Sequence, residues 1–342
     1  MHKDIILAVD YHDESIVVRR FNAATGEESV LRLDTRASAV RQSVESAVAQ
    51  LPAGGRVVWI MESTTGWARV KAVVEKAGGE FVLANVLEMP LPPKAHRRKT
   101  DKVDTARLLR EYLNGTLPEA FQPDPWLRRV RRVTALRENL VGRRTALTNY
   151  IDRYLAQESW EDRPALRADP SRFRKLLLEG PDGLVMATKL EELEEIERRL
   201  GPVEAEIRRI YEGWPEAQWV DEIRGIGVVA AVSILARIGP VDRFPGAEEL
   251  IAYAGLAPGV QRSDQTVRMG HIGGGGTDKH LRYYLIEATV WARQIPRYRR
   301  VYDRVALKRG SKIARLVVAR HLLRSVFRML KDRVRFDRMP AA

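Results

Sequence analysis

The rhythm of apolar and polar positions changes along the chain. Residues 4–10 (DIILAVD), 15–21 (SIVVRRF), 28–33 (ESVLRL), 57–63 (VVWIMES) and 80–84 are short apolar or alternating runs, and they predict strands. Residues 36–50, 66–77 and about Thr100 to Leu113 carry helical spacing, with Thr100 suited to the N-cap and Asp101 to the first turn. Three strands followed by alternating helix and strand predict a mixed sheet with helices on its faces.

Beyond the proline-punctuated break FQPDPW (121–126), strand signals give way to helical ones. Val133, Leu136, Leu140, Leu147, Ile151 and Leu155 form one apolar series, and Leu190, Leu193, Ile196, Leu200, Val203, Ile207 and Ile210 form another. This is coiled-coil spacing and predicts an antiparallel hairpin, with 159–185 as an irregular crossing. The first helix is rich in arginine (Arg128, Arg129, Arg131, Arg132, Arg137, Arg143, Arg144) and the second opens acidic. A dimerising or spacing role and a plain helical subdomain both fit. Further on, IRGIGVVAAVSILARIG (223–239) places Gly225-Ile226-Gly227 before an apolar helix, as in a helix–hairpin–helix whose glycine turn offers N–H groups to phosphate. The spacing is common and carries little weight alone. Gly273–Gly276 lacks the phosphate-loop pattern and reads as a turn before a helix near Asp278. Residues 293–338 are basic and helical. Within them, 315–332 is an arginine-rich amphipath that either packs on the core or faces nucleic acid. The expected organisation is α/β plus α: 1–122 a mixed-sheet domain, 123–215 a coiled-coil region and 216–342 a mostly helical C-terminal domain.

Charge then narrows the function. The 342 residues hold 58 Lys+Arg against 45 Asp+Glu, a net charge of +13, which favours polyanionic partners. Cysteine is absent, which excludes disulfides, thiolate chemistry and zinc fingers. With no membrane-spanning run and no signal-peptide pattern, the expectation is a cytoplasmic, nucleoid-associated protein without a membrane partner.

One segment breaks the electrostatic pattern. RRKTDKVDTARLLR (97–110) sets Asp101 and Asp104 among Arg97, Arg98, Lys99, Lys102, Arg107 and Arg110. Residues three apart share a helix face, so both aspartates can point at the sheet, while Asp10 and Glu62 end two strands. Four converging carboxylates require a cation, and with Mg²⁺ they form a hard oxygen site for phosphoryl chemistry, with the flanking cations on the phosphate backbone. Taken singly, each has a plainer role: Asp101 as a cap, Asp104 paired with Arg107, Asp10 in a turn. A strand ending in Asp also opens the actin-like ATPase fold, but Tyr11 and His12 follow Asp10 where that fold uses glycine.

LAVDYHDESI at the start, IMESTTGW around Glu62, RRKTDKVDTARLL, and AYAGLAPGVQRSDQTVRMGHI with the later RGSKIARLVVARHLL resemble, in order, the DEDD transposases of the insertion sequence 110 family. These are recombinases guided by a bridge RNA. The resemblance implies an RNase H-like (RuvC-like) N-terminal domain binding Mg²⁺ through Asp10, Glu62, Asp101 and Asp104. It implies a C-terminal domain supplying Ser263 as the nucleophile of a covalent phosphoserine intermediate. The implied partners are donor and target DNA and a structured non-coding RNA, and the implied assembly is a dimer that pairs into a tetramer with a composite site. Candidate nucleic-acid contacts are Arg97, Arg98, Lys99, Lys102, Arg143, Arg144, Arg268, Lys279, Arg309 and Lys312. Two alternatives stay open: a RuvC-like nuclease of the Holliday-junction type using water, and a non-catalytic nucleic-acid-binding scaffold.

Overall fold

The computed structural model describes residues 3–12, 14–89, 101–157, 180–263, 266–272 and 276–339. For 101, 102, 155, 180, 258–263 and 266–272 it describes the backbone alone. The chain forms two compact units, residues 1–122 and 123–342.

The first unit holds the strands β1 (Ile5–Tyr11), β2 (Ile16–Asn22), β3 (Glu28–Leu33), β4 (Val57–Glu62) and β5 (Glu80–Ala84). They form one sheet in the order β3-β2-β1-β4-β5. The β1–β2 and β2–β3 pairs are antiparallel, whereas β1–β4 and β4–β5 are parallel. This mixed order is compatible with an RNase H-like domain. The two parallel pairs require crossovers, which the helices α1 (Ala37–Val48) and α2 (Trp67–Lys76) supply. Strand period decides the layers. Ile5, Leu7 and Val9 of β1, with Val57, Trp59 and Met61 of β4, face α1 and α2. Ile6 and Ala8, with Val58 and Ile60, face the other side and meet Leu108 and Leu109 of α3 (Asp101–Leu113). Continuous apolar runs rather than alternation are what a sheet covered on both faces demands. The N-cap expected at Thr100 lies outside the described residues.

The second unit begins with α4 (Pro125–Gln157), capped by Asp124, whose Oδ1 accepts from Leu127 N at 2.8 Å. It pairs with α5 (Gly180–Glu212). Ile151 packs with Met186, Leu190 and Leu193, and Leu140 with Ile196 and Leu200, so the two helices run antiparallel. Two details differ from the periodicity. Residues 180–185 are helical rather than part of an irregular crossing, since α5 must reach back to bring Met186 onto Ile151. Leu136 is exposed at 49 %, because Arg137 takes the neighbouring contact, an ion pair to Glu204 at 2.8 Å.

The helices α6 (Pro215–Asp221), α7 (Val228–Ile238) and α8 (Ala247–Tyr253), the hairpin β6 (Pro258–Ser263) and β7 (Thr266–Ile272), and α9 (Lys279–Ala292), α10 (Pro296–Arg309) and α11 (Ser311–Asp332) complete the unit. At its centre is α7, whose apolar positions are buried by α4, α5, α6 and α9. Arginines close the C-terminal end of α7. Arg131 Nε donates to the Ala236 carbonyl at 2.7 Å and Arg243 Nε to the Ile238 carbonyl at 2.8 Å. Cations at a helix C-terminus complement its partial negative charge. Burial pushes both guanidinium pKa values down from their ordinary value, although a guanidinium stays protonated at neutral pH.

The glycine turn before α7 has a packing cause. Gly225 adopts φ +101°, and a Cβ there would stand 2.5 Å from the Ala288 carbonyl oxygen of α9. The turn is thus where α7 and α9 approach backbone to backbone, which accounts for Gly225 without a phosphate. Gly227 faces open space. Gly225→Ala is expected to destabilise the second unit by roughly 2 kcal/mol or more, and Gly227→Ala by less than about 1 kcal/mol. Thermal unfolding of the two variants beside the parent protein checks the difference. In the helical pair, Leu193→Ala is expected to cost about 2–4 kcal/mol and to appear as a lower denaturant midpoint.

Candidate metal centre and nucleic-acid surface

The period that builds the sheet also aims the acids. On β1, Asp10 follows Ile6 and Ala8 on the α3 face, and on β4, Glu62 follows Val58 and Ile60. The parallel register pairs Val9 with Met61, so one further step brings Asp10 and Glu62 level on adjacent strands. Adjacent strands lie only about 4.8 Å apart. Asp104 stands one helical turn before Leu108, the α3 residue packed on the same face. All three carboxylates accordingly line one cleft of about 150 Å³ at the carboxyl ends of the parallel strands, with Val86, Met89 and Arg107. Ligands of open α/β sheets bind at this end, where the strand tips leave a crevice.

Asp10 is 6 % exposed, and the His12 Nε2 stands 3.2 Å from its Oδ2. Glu62 and Asp104 are half-buried. Asp4, at the opposite end of β1, is a contrast: it is equally buried, yet held by the Arg56 guanidinium at 3.1 Å and by Arg56 N–H at 3.0 Å. Among the described residues, no three His, Asp or Glu side chains stand close enough to grip a metal directly. The donor set nevertheless suits a hard divalent cation. Three carboxylates face one arginine in the cleft, and Mg²⁺ ordinarily keeps several waters and takes only one or two carboxylates. Asp101 is the first residue of α3, and its side chain lies outside the described ones.

The other expected contacts divide by place. Arg97, Arg98 and Lys99 lie outside the described residues; Lys102 and Arg268 are described by backbone alone, in α3 and β7. On α4, Arg143 is exposed and Arg144 half-buried. Lys279 is exposed at the start of α9, and Arg309 and Lys312 are exposed on either side of Gly310, the turn between α10 and α11. Ser263 ends β6, paired in register with Thr266 across the hairpin.

The amphipath 315–332 divides the two roles offered for it. It is α11, and Ala314, Val318, Ala319, Leu322, Leu323, Val326, Phe327 and Met329 are buried on it. Its cations mostly serve packing. Arg320 Nε donates to the Leu256 carbonyl at 2.7 Å, Arg315 to the Ile286 carbonyl at 3.1 Å, and Arg324 pairs with Glu248 at 2.8 Å.

Two features escaped the sequence reading, and a third was named there only in another role. His12 stands just beyond β1, two positions after Asp10, a D-x-H spacing that was legible. Arg107, expected as a flanking cation or as the partner of Asp104, follows Asp104 by three and lines the same cleft. On α10, Arg300, Arg304 and Lys308 are all exposed and fall at helical spacing, a signal hidden in a uniformly basic stretch.

Comparison with known proteins finds matches in both units. A family profile described as a transposase, the DEDD domain of IS110 elements, matches residues 7–159. A second, described as "Transposase IS116/IS110/IS902 family", matches residues 217–303. The "Insertion element IS110 uncharacterized 43.6 kDa protein" of Streptomyces coelicolor is 30 % identical over 47 % of this chain and 40 % of its own length. The "Putative transposase y4qE" of Sinorhizobium fredii is 23 % identical over 80 % of this chain and 69 % of its own. The chain thus spans less than half the length of the Streptomyces relative. Both units thus match transposase profiles. Residues 7–159 resemble the DEDD domain of IS110 transposases, and residues 217–303 a transposase domain of the IS116/IS110/IS902 family. A DEDD domain implies use of a divalent metal.

Mn²⁺ serves as a reporter of the cleft. Asp10→Asn and Asp104→Asn are each expected to weaken Mn²⁺ binding at least tenfold in a titration followed by electron paramagnetic resonance. Asp4→Asn is expected to lower stability and leave that affinity unchanged.

Proposed function

We propose that this protein is a DNA transposase that cuts and rejoins DNA through a covalent phosphoserine intermediate. The observation that carries the proposal is the delivery of Asp10, Glu62 and Asp104 into one cleft at the strand ends. The relatives' names and the match of both domains support it. Asp101, at the start of the same helix, completes the set, and Arg107 neutralises part of the charge between phosphate and carboxylates.

A divalent cation such as Mg²⁺, which Asp10, Glu62 and Asp104 would hold there, would supply Lewis-acid stabilisation of the charge on the phosphoryl oxygens. Ser263 is the nucleophile. Its hydroxyl oxygen bonds to phosphorus as its proton leaves, and the phosphodiester bond to one deoxyribose oxygen breaks. The products are a phosphoserine ester and a strand ending in a free hydroxyl. The partner strand's hydroxyl then attacks the ester and returns the serine hydroxyl. One phosphodiester bond is broken and one made, so no nucleotide hydrolysis is required. Hairpin placement suits this role, because Ser263 ends β6 and pairs with Thr266 at the start of β7. The substrates are donor and target DNA, guided by the structured RNA of the element, in the cytoplasm. The antiparallel α4–α5 pair serves assembly of dimers into a tetramer.

A trapping assay tests the chemistry. Protein co-expressed with its flanking RNA is incubated with Mg²⁺ and labelled junction DNA, denatured and resolved on a gel. A protein-linked band is expected that disappears with Ser263→Ala and drops at least 100-fold with Asp104→Ala. Cleavage without a linked band, persisting in Ser263→Ala, overturns the covalent route and leaves a metal-dependent nuclease using water. Unchanged activity in Asp104→Ala overturns the metal site as well.

A further inference from the structure

The second unit contains a cavity that the cleavage chemistry leaves unused. It opens between α10 and α11 and measures about 470 Å³. That lies within the ~300–1,000 Å³ range of small-molecule sites. Its floor is apolar and buried: Tyr298 is 2 % exposed, Phe327 9 % and Met339 8 %. Its rim is cationic, with Arg297, Arg324 and Arg328. The sole carboxylate bound to this rim among the described contacts is Glu248, on Arg324 at 2.8 Å. The Arg297 guanidinium lies 4.8 Å from the Phe336 ring centroid, and Tyr298 and Phe336 stack with centroids 6.3 Å apart. The Tyr298 hydroxyl and Ser325 Oγ hydrogen-bond at 2.7 Å, leaving the tyrosine anchored in the wall.

His321 adds a polar group to the lining. Burial, with Arg324 and Arg320 nearby, lowers its pKa below the ordinary histidine value. It is therefore neutral at neutral pH and offers one donor and one acceptor. An apolar floor with aromatic edges, a neutral donor–acceptor and a cationic rim suit a flat heteroaromatic group joined to a phosphate.

Outside the cavity, α10 extends the same chemistry. Arg297, Arg300, Arg304 and Lys308 follow at steps of three, four and four, so they form one stripe that starts at the rim and runs along the helix. Arg300, Arg304 and Lys308 are exposed. A stripe of cations tracks a phosphate backbone, and aromatic surfaces hold bases of single strands.

We propose that this cavity takes an unpaired nucleotide of a single-stranded nucleic acid whose backbone lies along the α10 stripe. The inference stands apart from the cleavage reading, because it concerns the second unit alone and its test reads binding without cleavage. The probes are fluorescent single strands of about 12 nucleotides, one ribo and one deoxyribo, beside an abasic strand of equal length and charge. Anisotropy titrations use the full chain in EDTA. Base-bearing strands are expected to bind roughly tenfold tighter than the abasic strand. Val301→Trp, which fills the cavity from its wall, is expected to abolish that difference and leave abasic binding intact. Arg300→Ala and Arg304→Ala are expected to weaken all three strands and flatten the salt dependence. The ribo and deoxyribo arms tell which strand the cavity prefers.

Equal binding of abasic and base-bearing strands overturns the proposal, as does an unchanged preference in folded Val301→Trp. Displacement by an acidic peptide of equal charge as effectively as by the oligonucleotide also overturns it, in favour of a protein ligand. Photocrosslinking with a 4-thiouracil strand keeps the test decisive should Val301→Trp fail to fold. Adducts are expected within 297–301 or 321–328, and adducts confined elsewhere refute the assignment.

Discussion

β1 and β4 run parallel at the middle of the sheet, and neither face of the pair meets water. That burial governs the first unit. A strand covered on both sides has no place for a charge except at its ends, because an isolated ionised group in a low-dielectric interior is costly. Asp4 and Asp10 stand at opposite ends of β1 and show the two solutions. One is neutralised by Arg56 as part of the scaffold. The other is turned by strand period toward α3 and into a cleft with Glu62 and Asp104. The positions of the acids follow from the same alternation that packs Trp59 against α1 and α2 and Ile60 against α3. A change that slipped β1 against β4 by one residue would move Asp10 to the wrong face along with its apolar neighbours.

The second unit manages an excess of positive charge by giving its arginines two distinct tasks. Some hold the scaffold: Arg131 and Arg243 close the end of α7, Arg320 reaches the Leu256 carbonyl, and Arg137 ties α4 to α5. These guanidiniums trade hydration for carbonyls and carboxylates, a trade the planar five-donor fork suits better than an ammonium. Others, on α10 and at the turn around Gly310, remain at the surface where a polyanion can reach them. Net charge therefore overstates the nucleic-acid surface, since part of it stabilises helix ends.

Much of this organisation was legible beforehand, and the reasons can be named. The strands of the first unit are short, β-branched and bounded by turns, so observed elements fall within about two residues of those expected from period alone. The apolar series on α4 and α5 pair antiparallel because Leu140, Ile151, Leu190, Leu193, Ile196 and Leu200 repeat at heptad-like steps. Less legible were the cases where one residue type serves several ends. The amphipath 315–332 was open between packing and recognition, and its arginines reach neighbouring helices instead. The Gly225-Ile226-Gly227 turn resembled a phosphate hairpin, yet a Cβ at Gly225 would stand only 2.5 Å from the Ala288 carbonyl oxygen.

By itself the sequence determined the mixed-sheet character, the helical remainder, the polyanion preference and the candidacy of Asp10, Glu62, Asp101 and Asp104. Those are properties of local period, composition and motif, which act within a few residues of one another. Only the tertiary structure decided that Asp10, Glu62 and Asp104 share a cleft, and that Asp4 does not. It also decided that Arg131 caps a helix while Arg300 lines a surface stripe, and that a buried aromatic cavity opens beside that stripe. The physical reason is one of range. Register, crossover and the packing of one helix on another join positions 50 to 100 residues apart, and no local pattern encodes which partners such contacts bring together.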